Sequence, residues 1–296
     1  MKLAAIDIGS NAIRLQVTNV LHDGDDIHFK KVEYVRFPLR LGHDVFAHQT
    51  ISIEKQAKFV KLMQAYKLLL DLYEVDDYLA LATSAMREAS NGQALADEVR
   101  KQTGLDIRII DGETEAAFIN RAVLVGLDNN PYLHIDVGGG STELTLIENR
   151  KKLASISFPI GSVRRLDHKD APEVWTEMQA WVAQHTASYE GMKAIGTGGN
   201  INKLFDLAGK KIGKVLSRNK IADLRDHIQQ MPMQERLNRL KLNPDRADVI
   251  VPAAEIYLQV MVWANAQGIF VPDVGLKDGI LRYLYENQKE LAKNFG

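Results

Sequence analysis

Short apolar, β-branched runs alternate along this chain with glycine-rich turns and amphipathic stretches. Residues 3–8 form one such run, Gly9-Ser10-Asn11 interrupts it, and residues 13–20 resume it, which predicts a hairpin opening a sheet. Residues 27–35 alternate as a third strand would. Between 52 and 73, Phe59, Val60, Met63, Tyr66, Leu69 and Leu70 recur near a 3.6-residue period, so an amphipathic helix is expected there with Ser52 as its N-cap. A strand at 78–82, a helix over about 91–102, a strand at 106–110 and a helix over about 113–125 follow.

After the turn-rich Asp128-Asn129-Asn130-Pro131 the pattern begins again: a strand at 132–137, a glycine turn, and strands at 142–147 and 152–158. Ile6-Asp7-Ile8-Gly9-Ser10-Asn11 and Ile135-Asp136-Val137-Gly138-Gly139-Gly140-Ser141 are one device used twice, strand, aspartate, glycine turn, strand. Self-similarity at nearly half the chain length predicts two related α/β domains facing each other, residues 1–124 and 125–296. The rest reads as mainly helical, with a short strand at 193–196 running into Thr197-Gly198-Gly199-Asn200. A helix over about 276–291 is expected to pack back on the first domain. The most apolar long segment, 249–266, contains Glu255 and Gln259 and falls short of the roughly 20 residues that span a bilayer, so it reads as a buried helix.

Composition narrows the function classes. With 296 residues, 46% hydrophobic and 25% charged, the chain can build two ordinary soluble cores. A net charge of −1 gives no whole-molecule field for nucleic acid or an acidic membrane, so neither is expected as a partner. The absence of cysteine removes disulfides, thiolate nucleophiles and cysteine-ligated metals, and the eight histidines show no ligand spacing. An aspartate at position 7 comes too early for an export segment of about 7–15 apolar residues, and a cytoplasmic location is expected.

Successive glycines let backbone N–H groups point into one concavity, and such nests bind phosphate oxygens. Three turns qualify, at Gly9, at Gly138 to Ser141 and Thr142, and at Gly196-Thr197-Gly198-Gly199; the second and third add hydroxyl donors, and the last leads into a helix N-terminus. Neither G-x-x-x-x-G-K-[ST] nor a strand-borne G-x-G-x-x-G is present, which excludes the P-loop and dinucleotide readings. Asp7 and Asp136 end the strands before two of these turns, where a carboxylate either holds a hydrated divalent cation or caps the turn.

Eight stretches carry a resemblance: AIDIGSNAIRL (5–15), RLG (40–42), ATSAMREASNG (82–92), IIDGETEAAF (109–118), HIDVGGGSTEL (134–144), FPIGSVRR (158–165), IGTGGN (195–200) and ADVIVPAAEI (247–256). In content and order they resemble the exopolyphosphatase and guanosine pentaphosphate phosphohydrolase family of the actin-like ATPase superfamily. The resemblance implies two ribonuclease H-like domains with an interdomain cleft, and removal of terminal phosphate from polyphosphate or guanosine pentaphosphate with Mg2+ or Mn2+. It implies Glu115 as the residue that activates water, Arg87 as a charge-balancing arginine, and Asp136 and Glu143, with Asp7, as metal ligands. Phosphate would be gripped by Asp7, Gly9, Ser10, Asn11, Arg14, Gly138, Gly139, Gly140, Ser141, Thr142, Gly198 and Gly199.

Without the resemblance, Glu115 reads as a solvated helix residue and Arg87 as one half of a surface ion pair with Glu88 or Asp97. Arg14 and Arg40 stand out among cations for a polyphosphate tail; Arg164, Arg165, Lys203, Lys214, Arg218 and Lys220 are scattered further candidates. The chain departs from the family pattern at Ala12 and Asn200, each replacing a hydroxyl residue, and it ends without the helical C-terminal domains of longer members, which implies a shorter polyphosphate channel. The departures leave open a guanosine tetraphosphate-binding regulator of low activity, and the shared turns leave open a kinase. The resemblance also points to a homodimer.

Overall fold

The computed structural model describes residues 1–24, 26–210 and 214–295, with the side chains of 289–295 left aside. The chain divides into two compact units, Met1–Ala122 with Gly275–Gly296, and Val123–Val274.

The first unit opens with β1 (Lys2–Ile8), β2 (Ile13–Asp23) and β3 (Asp26–Phe37), an antiparallel meander whose first turn is the Gly9 turn. Helices α1 (Leu41–His48) and α2 (Ile53–Leu72) lead to β4 (Asp77–Ala82); α3 (Ser84–Glu88) and α4 (Gly92–Thr103) lead to β5 (Ile107–Ile109), and α5 (Gly112–Val123) closes the series. Strand order is β3-β2-β1-β4-β5, with β1, β4 and β5 parallel. β1 and the end of β4 are buried continuously, as parallel strands covered on both faces must be, whereas the edge strand β3 is largely exposed. In α2 the stripe Phe59, Met63, Tyr66 and Leu70 is buried, and Ser52 caps the helix by accepting from the Lys55 N–H, as expected.

In the second unit β6 (Tyr132–Val137), β7 (Thr142–Glu148) and β8 (Lys151–Phe158) repeat the meander. There follow α6 (Ser162–Leu166), α7 (Pro172–Thr186), β9 (Lys193–Thr197), α8 (Gly199–Leu207), β10 (Val215–Ser217), α9 (Arg218–Gln230), α10 (Met233–Asn238), α11 (Pro244–Ala247), α12 (Ile250–Trp263) and β11 (Gly268–Phe270). Strand order is β10-β11-β9-β6-β7-β8. Read from β8, its first five strands reproduce the order and directions of the first sheet, which is the ribonuclease H-like plan of actin-like ATPases. Where helices were expected beyond 200, the structure adds β10 and β11, three residues each and too short to carry a periodic signal. The apolar segment at 249–266 is α12 at the centre of the second core. Among the described residues no helix is long and apolar enough to cross a membrane.

The repetition reaches past the glycine turns. Phe37-Pro38-Leu39 ends β3 and Phe158-Pro159-Ile160 ends β8, and in both the third residue's N–H returns to the first residue's carbonyl, at 3.1 and 2.7 Å. Such a three-residue turn suits proline at its centre because the ring already fixes φ near the required value. The turn directs the chain back onto the hairpin turn beside it. The Gly42 N–H donates to the Ser10 carbonyl at 2.8 Å, and the corresponding Val163 N–H to the Gly139 carbonyl at 2.8 Å.

The last helix, α13 (Leu276–Phe295), belongs to the first unit and packs on β1, β2 and β4. Tyr285 meets Phe29 edge-on with centroids 5.9 Å apart, Tyr283 meets Phe118 at 5.1 Å, and Gln288 donates to Asp77 at 3.1 Å. Gly279 lets α13 approach α5: a Cβ there would overlap the Phe118 carbonyl. Gly279→Ala is therefore expected to destabilise the protein by about 1–3 kcal/mol through overpacking. Gly275→Ala, where a Cβ meets open space, should change stability by no more than about 0.5 kcal/mol. Urea midpoints of the two variants check this; equal midpoints would contradict the close approach.

Candidate functional site

Each unit presents its glycine turn at the end of its first strand, and in each the turn is held from behind by its carbonyls. In the second unit Gly138 N–H closes the turn onto the Ser141 carbonyl at 3.0 Å. The Gly138 carbonyl accepts from the Ser162 N–H and hydroxyl, the Gly139 carbonyl from the N–H groups of Val163 and Arg164, and the Gly140 carbonyl from Arg164 Nε at 2.8 Å. With its carbonyls committed to the start of α6, a peptide turn presents its N–H side outward, the polarity an anion requires. Gly161 permits this clamp, because a Cβ there would overlap the Gly139 and Gly140 backbone.

The first unit uses the same geometry with fewer glycines. Gly9 N–H closes onto the Ala12 carbonyl at 3.2 Å, and the carbonyls of Ser10 and Asn11 accept from Gly42 and Arg40. The Ser10 hydroxyl meets the Ser84 hydroxyl at 2.8 Å, which ties this turn to the start of α3. Ala12, the first departure from the family pattern, is buried in the core.

The decisive difference between the repeats lies one step inside each turn. On β1 and β2, Asp7 stands directly opposite Arg14, whose guanidinium donates to the carboxylate at 2.8 Å. On β6 and β7, in the same register, Asp136 stands opposite Glu143. Both are buried, at 7% and 1% exposure, and their oxygens approach within 4.8 Å. Thr197 donates to Asp136 at 2.6 Å and Ser157 to Glu143 at 2.8 Å, but these donors are neutral hydroxyls. Like charges directly opposite on neighbouring strands repel, and burial strengthens the repulsion. A pair of hard carboxylate oxygens in this setting fits Mg2+ or Mn2+ by the chemistry of its donors.

The third turn abuts Asp136. Gly198 adopts φ +111°, which only glycine takes readily, and a Cβ there would lie 3.4 Å from Asp136 Oδ1 and 3.0 Å from the Val137 carbonyl. Gly199 begins α8. Tyr257, wholly buried on α12, joins the ends of β6 and β9: its hydroxyl accepts from the Val137 N–H at 3.3 Å and donates to the Thr197 carbonyl. Burial raises the Tyr257 phenol well above its ordinary range, so it stays protonated as this donor. Asn200, the second departure, points its amide at the Ser162 hydroxyl at 3.5 Å, linking the third turn to the clamp behind the second.

Among the expected catalytic residues, Glu115 lies in the first turn of α5 and is 9% exposed, so the solvated-helix reading does not hold. Asp111 fixes the start of this helix by accepting from the Thr114 N–H at 2.7 Å. That bond holds its carboxyl below the usual range. Arg87 donates one guanidinium nitrogen to the Ile110 carbonyl at 2.6 Å, which ties α3 to the turn from which α5 departs. Thr142, expected at phosphate, spends its hydroxyl proton on the Ile160 carbonyl at 2.6 Å and so serves the clamp.

The basic residues divide. Arg14 and Arg40 stand beside the first turn. Arg164 is buried behind the second, and Arg165 pairs with Glu255 and Asp170 at 2.6 and 2.9 Å while stacking on Trp175, so both are structural. Arg218 donates to the Ala266 carbonyl. Thr197, expected as a hydroxyl donor to phosphate, gives its proton to Asp136. Sequence reasoning passed over Ser157, Tyr257 and His134; of these, only His134 was conspicuous in advance, as a histidine inside the apolar strand Tyr132–Val137.

A sequence profile of the Ppx/GppA phosphatase family matches residues 20–288. The bifunctional 3-dehydroquinate synthase/phosphatase of Fusobacterium nucleatum is 26% identical over 300 residues, covering 91% of this chain and 44% of its own length. This chain thus spans less than half of that relative. Exopolyphosphatase 1 of Mycobacterium tuberculosis is 23% identical over 304 residues, covering 95% of this chain and 87% of the relative. The crystal structure of the Aquifex aeolicus member of the Ppx/GppA protein family superposes with a TM-score of 0.77 at 27% identity, covering 98% of both chains. With the profile running from the first hairpin into the last helix, and the doubled sheet shared with a solved member, this chain belongs to the Ppx/GppA phosphatase family.

Proposed function

We propose that this protein hydrolyses the terminal phosphoanhydride bond of inorganic polyphosphate with the help of a divalent cation, Mg2+ or Mn2+. The observation that carries the reading is the register difference between the two hairpins: Asp7 faces a fixed cation, Arg14, while Asp136 faces a second carboxylate, Glu143. Two turns built to bind phosphate oxygens thus differ in what accompanies the phosphate, a guanidinium in the first unit and an acidic pair in the second. Similarity to an exopolyphosphatase over nearly the whole chain supports the choice of substrate.

In this reading Asp136 and Glu143 hold the cation, which when bound neutralises charge on phosphoryl oxygens. Asp7 is spent on Arg14, so its part is to orient that guanidinium toward phosphate. The Gly9-Ser10-Asn11 and Gly138 to Ser141 turns hold phosphate oxygens with backbone N–H groups, and Gly198 and Gly199 add the N-terminus of α8. Glu115 takes a proton from the attacking water. Arg87, with guanidinium N–H groups beyond the one given to Ile110, balances the charge that builds as the bond breaks.

Two outcomes test this. Glu115→Gln should keep wild-type unfolding and phosphate binding while phosphate release from polyphosphate falls by about 100-fold or more; near-normal release would remove Glu115 from the mechanism. Chelation with EDTA should abolish release from wild type and added Mg2+ or Mn2+ should restore it, whereas Asp136→Asn should need far more metal. Running the assay in parallel on guanosine pentaphosphate decides the substrate, and faster turnover of that compound would overturn the polyphosphate assignment.

A further inference from the structure

The polar face of the second sheet continues behind the acidic pair. His134 lies two residues before Asp136 on β6, so both side chains leave the same face of the strand. It is 1% exposed, in a strand otherwise filled by Tyr132, Leu133, Ile135 and Val137 apart from Asp136 itself. An imidazole buried at such a place costs free energy unless its nitrogens are hydrogen-bonded.

Its Nε2 lies 2.8 Å from Thr197 Oγ1, and that hydroxyl lies 2.6 Å from Asp136 Oδ1. A hydroxyl has a single proton, and an ionised carboxylate only accepts. The Thr197 proton therefore goes to Asp136, and the hydroxyl oxygen accepts from the ring, which places the imidazole proton on Nε2. The relay has one direction, imidazole N–H to hydroxyl oxygen, hydroxyl O–H to carboxylate. Thr197 stands opposite Asp136 in the β9–β6 register and is wholly buried, so the hydroxyl has little freedom to turn elsewhere.

We infer that His134 is a positioning residue for the cation-binding carboxylate: through the Thr197 hydroxyl it holds Asp136 in the orientation that faces Glu143. The inference rests on the reading of Asp136 and Glu143 as cation ligands. Partners of metal-ligating groups tune affinity by about 10–100-fold without touching the metal, and His134 is the member of this chain's row placed to do so at one remove. A histidine serving the core alone would leave metal affinity untouched.

The test is Mn2+ binding to the intact protein, read from the electron paramagnetic resonance signal of free Mn2+. His134→Val, Thr197→Val and the double variant form a cycle. Each single change should weaken Mn2+ binding by about 10-fold or more. The double should be no weaker than Thr197→Val alone, because in this relay His134 reaches Asp136 through that hydroxyl. His134→Gln, whose amide N–H reaches the same oxygen, should recover most of the affinity, and it carries the test by comparison with Thr197→Val if His134→Val does not fold. Wild-type affinity in His134→Val, additive losses in the double variant, or no recovery with glutamine overturns the relay. A wild-type protein that binds no Mn2+, or an Asp136→Asn variant that binds it undiminished, contradicts the cation site itself, and the relay falls with it.

Discussion

Two carboxylates directly opposite each other on adjacent buried strands are the constraint from which the rest of this structure follows. Asp136 and Glu143 occupy that arrangement, and the protein surrounds them with hydroxyl donors, a rigid glycine turn and a phenol that stays protonated. None of these donors carries a positive charge, so each orients a carboxylate without cancelling it. The first unit has the same strands, register and clamp, but places Arg14 where the second has Glu143. The repeated scaffold thus carries an ion pair in one half and an acidic pair at the same register in the other.

The clamp explains how so small a turn stays rigid. A run of three glycines has high conformational entropy, and leaving it free would blur any phosphate site. Three successive carbonyls, those of Gly138, Gly139 and Gly140, are instead fastened to the start of α6. The chain reaches that position because the proline turn at Phe158-Pro159-Ile160 sends it back over the hairpin. Arg164, which from sequence looked free to meet a polyphosphate tail, is one of these fasteners. Asn200 belongs to the same assembly through Ser162, so its departure from the family pattern changes a partner of the clamp.

Much of the fold was legible in the chain before its structure. The apolar runs at 3–8 and 132–137, the two aspartate-glycine turns and the α2 stripe are local signals, and each produced the expected element. The strands at 215–217 and 268–270 were not legible, because three residues cannot show a period and their pairing depends on partners distant in sequence. The repeated Phe-Pro-Leu and Phe-Pro-Ile segments were present to be read and extend the internal repeat to a third strand. For the site, the acidic residues and turns were visible as motifs, but their pairing was not: that Asp7 meets Arg14 while Asp136 meets Glu143 emerges only from strand register. Thr197 was visible as a hydroxyl in the third turn but its partner Asp136 was not, and Ser157 and Tyr257 gave no signal at all, since a hydroxyl in a strand or an apolar helix declares a partner only when the neighbouring strand is in place.

The central claim is that the second hairpin, and not the first, is the protein's cation site. Anomalous scattering from crystals grown with Mn2+ tests it most directly. The account predicts a single strong anomalous peak between the carboxylates of Asp136 and Glu143 and none between Asp7 and Arg14. A peak at the first hairpin, or a saturated crystal with no peak at the second, would contradict it.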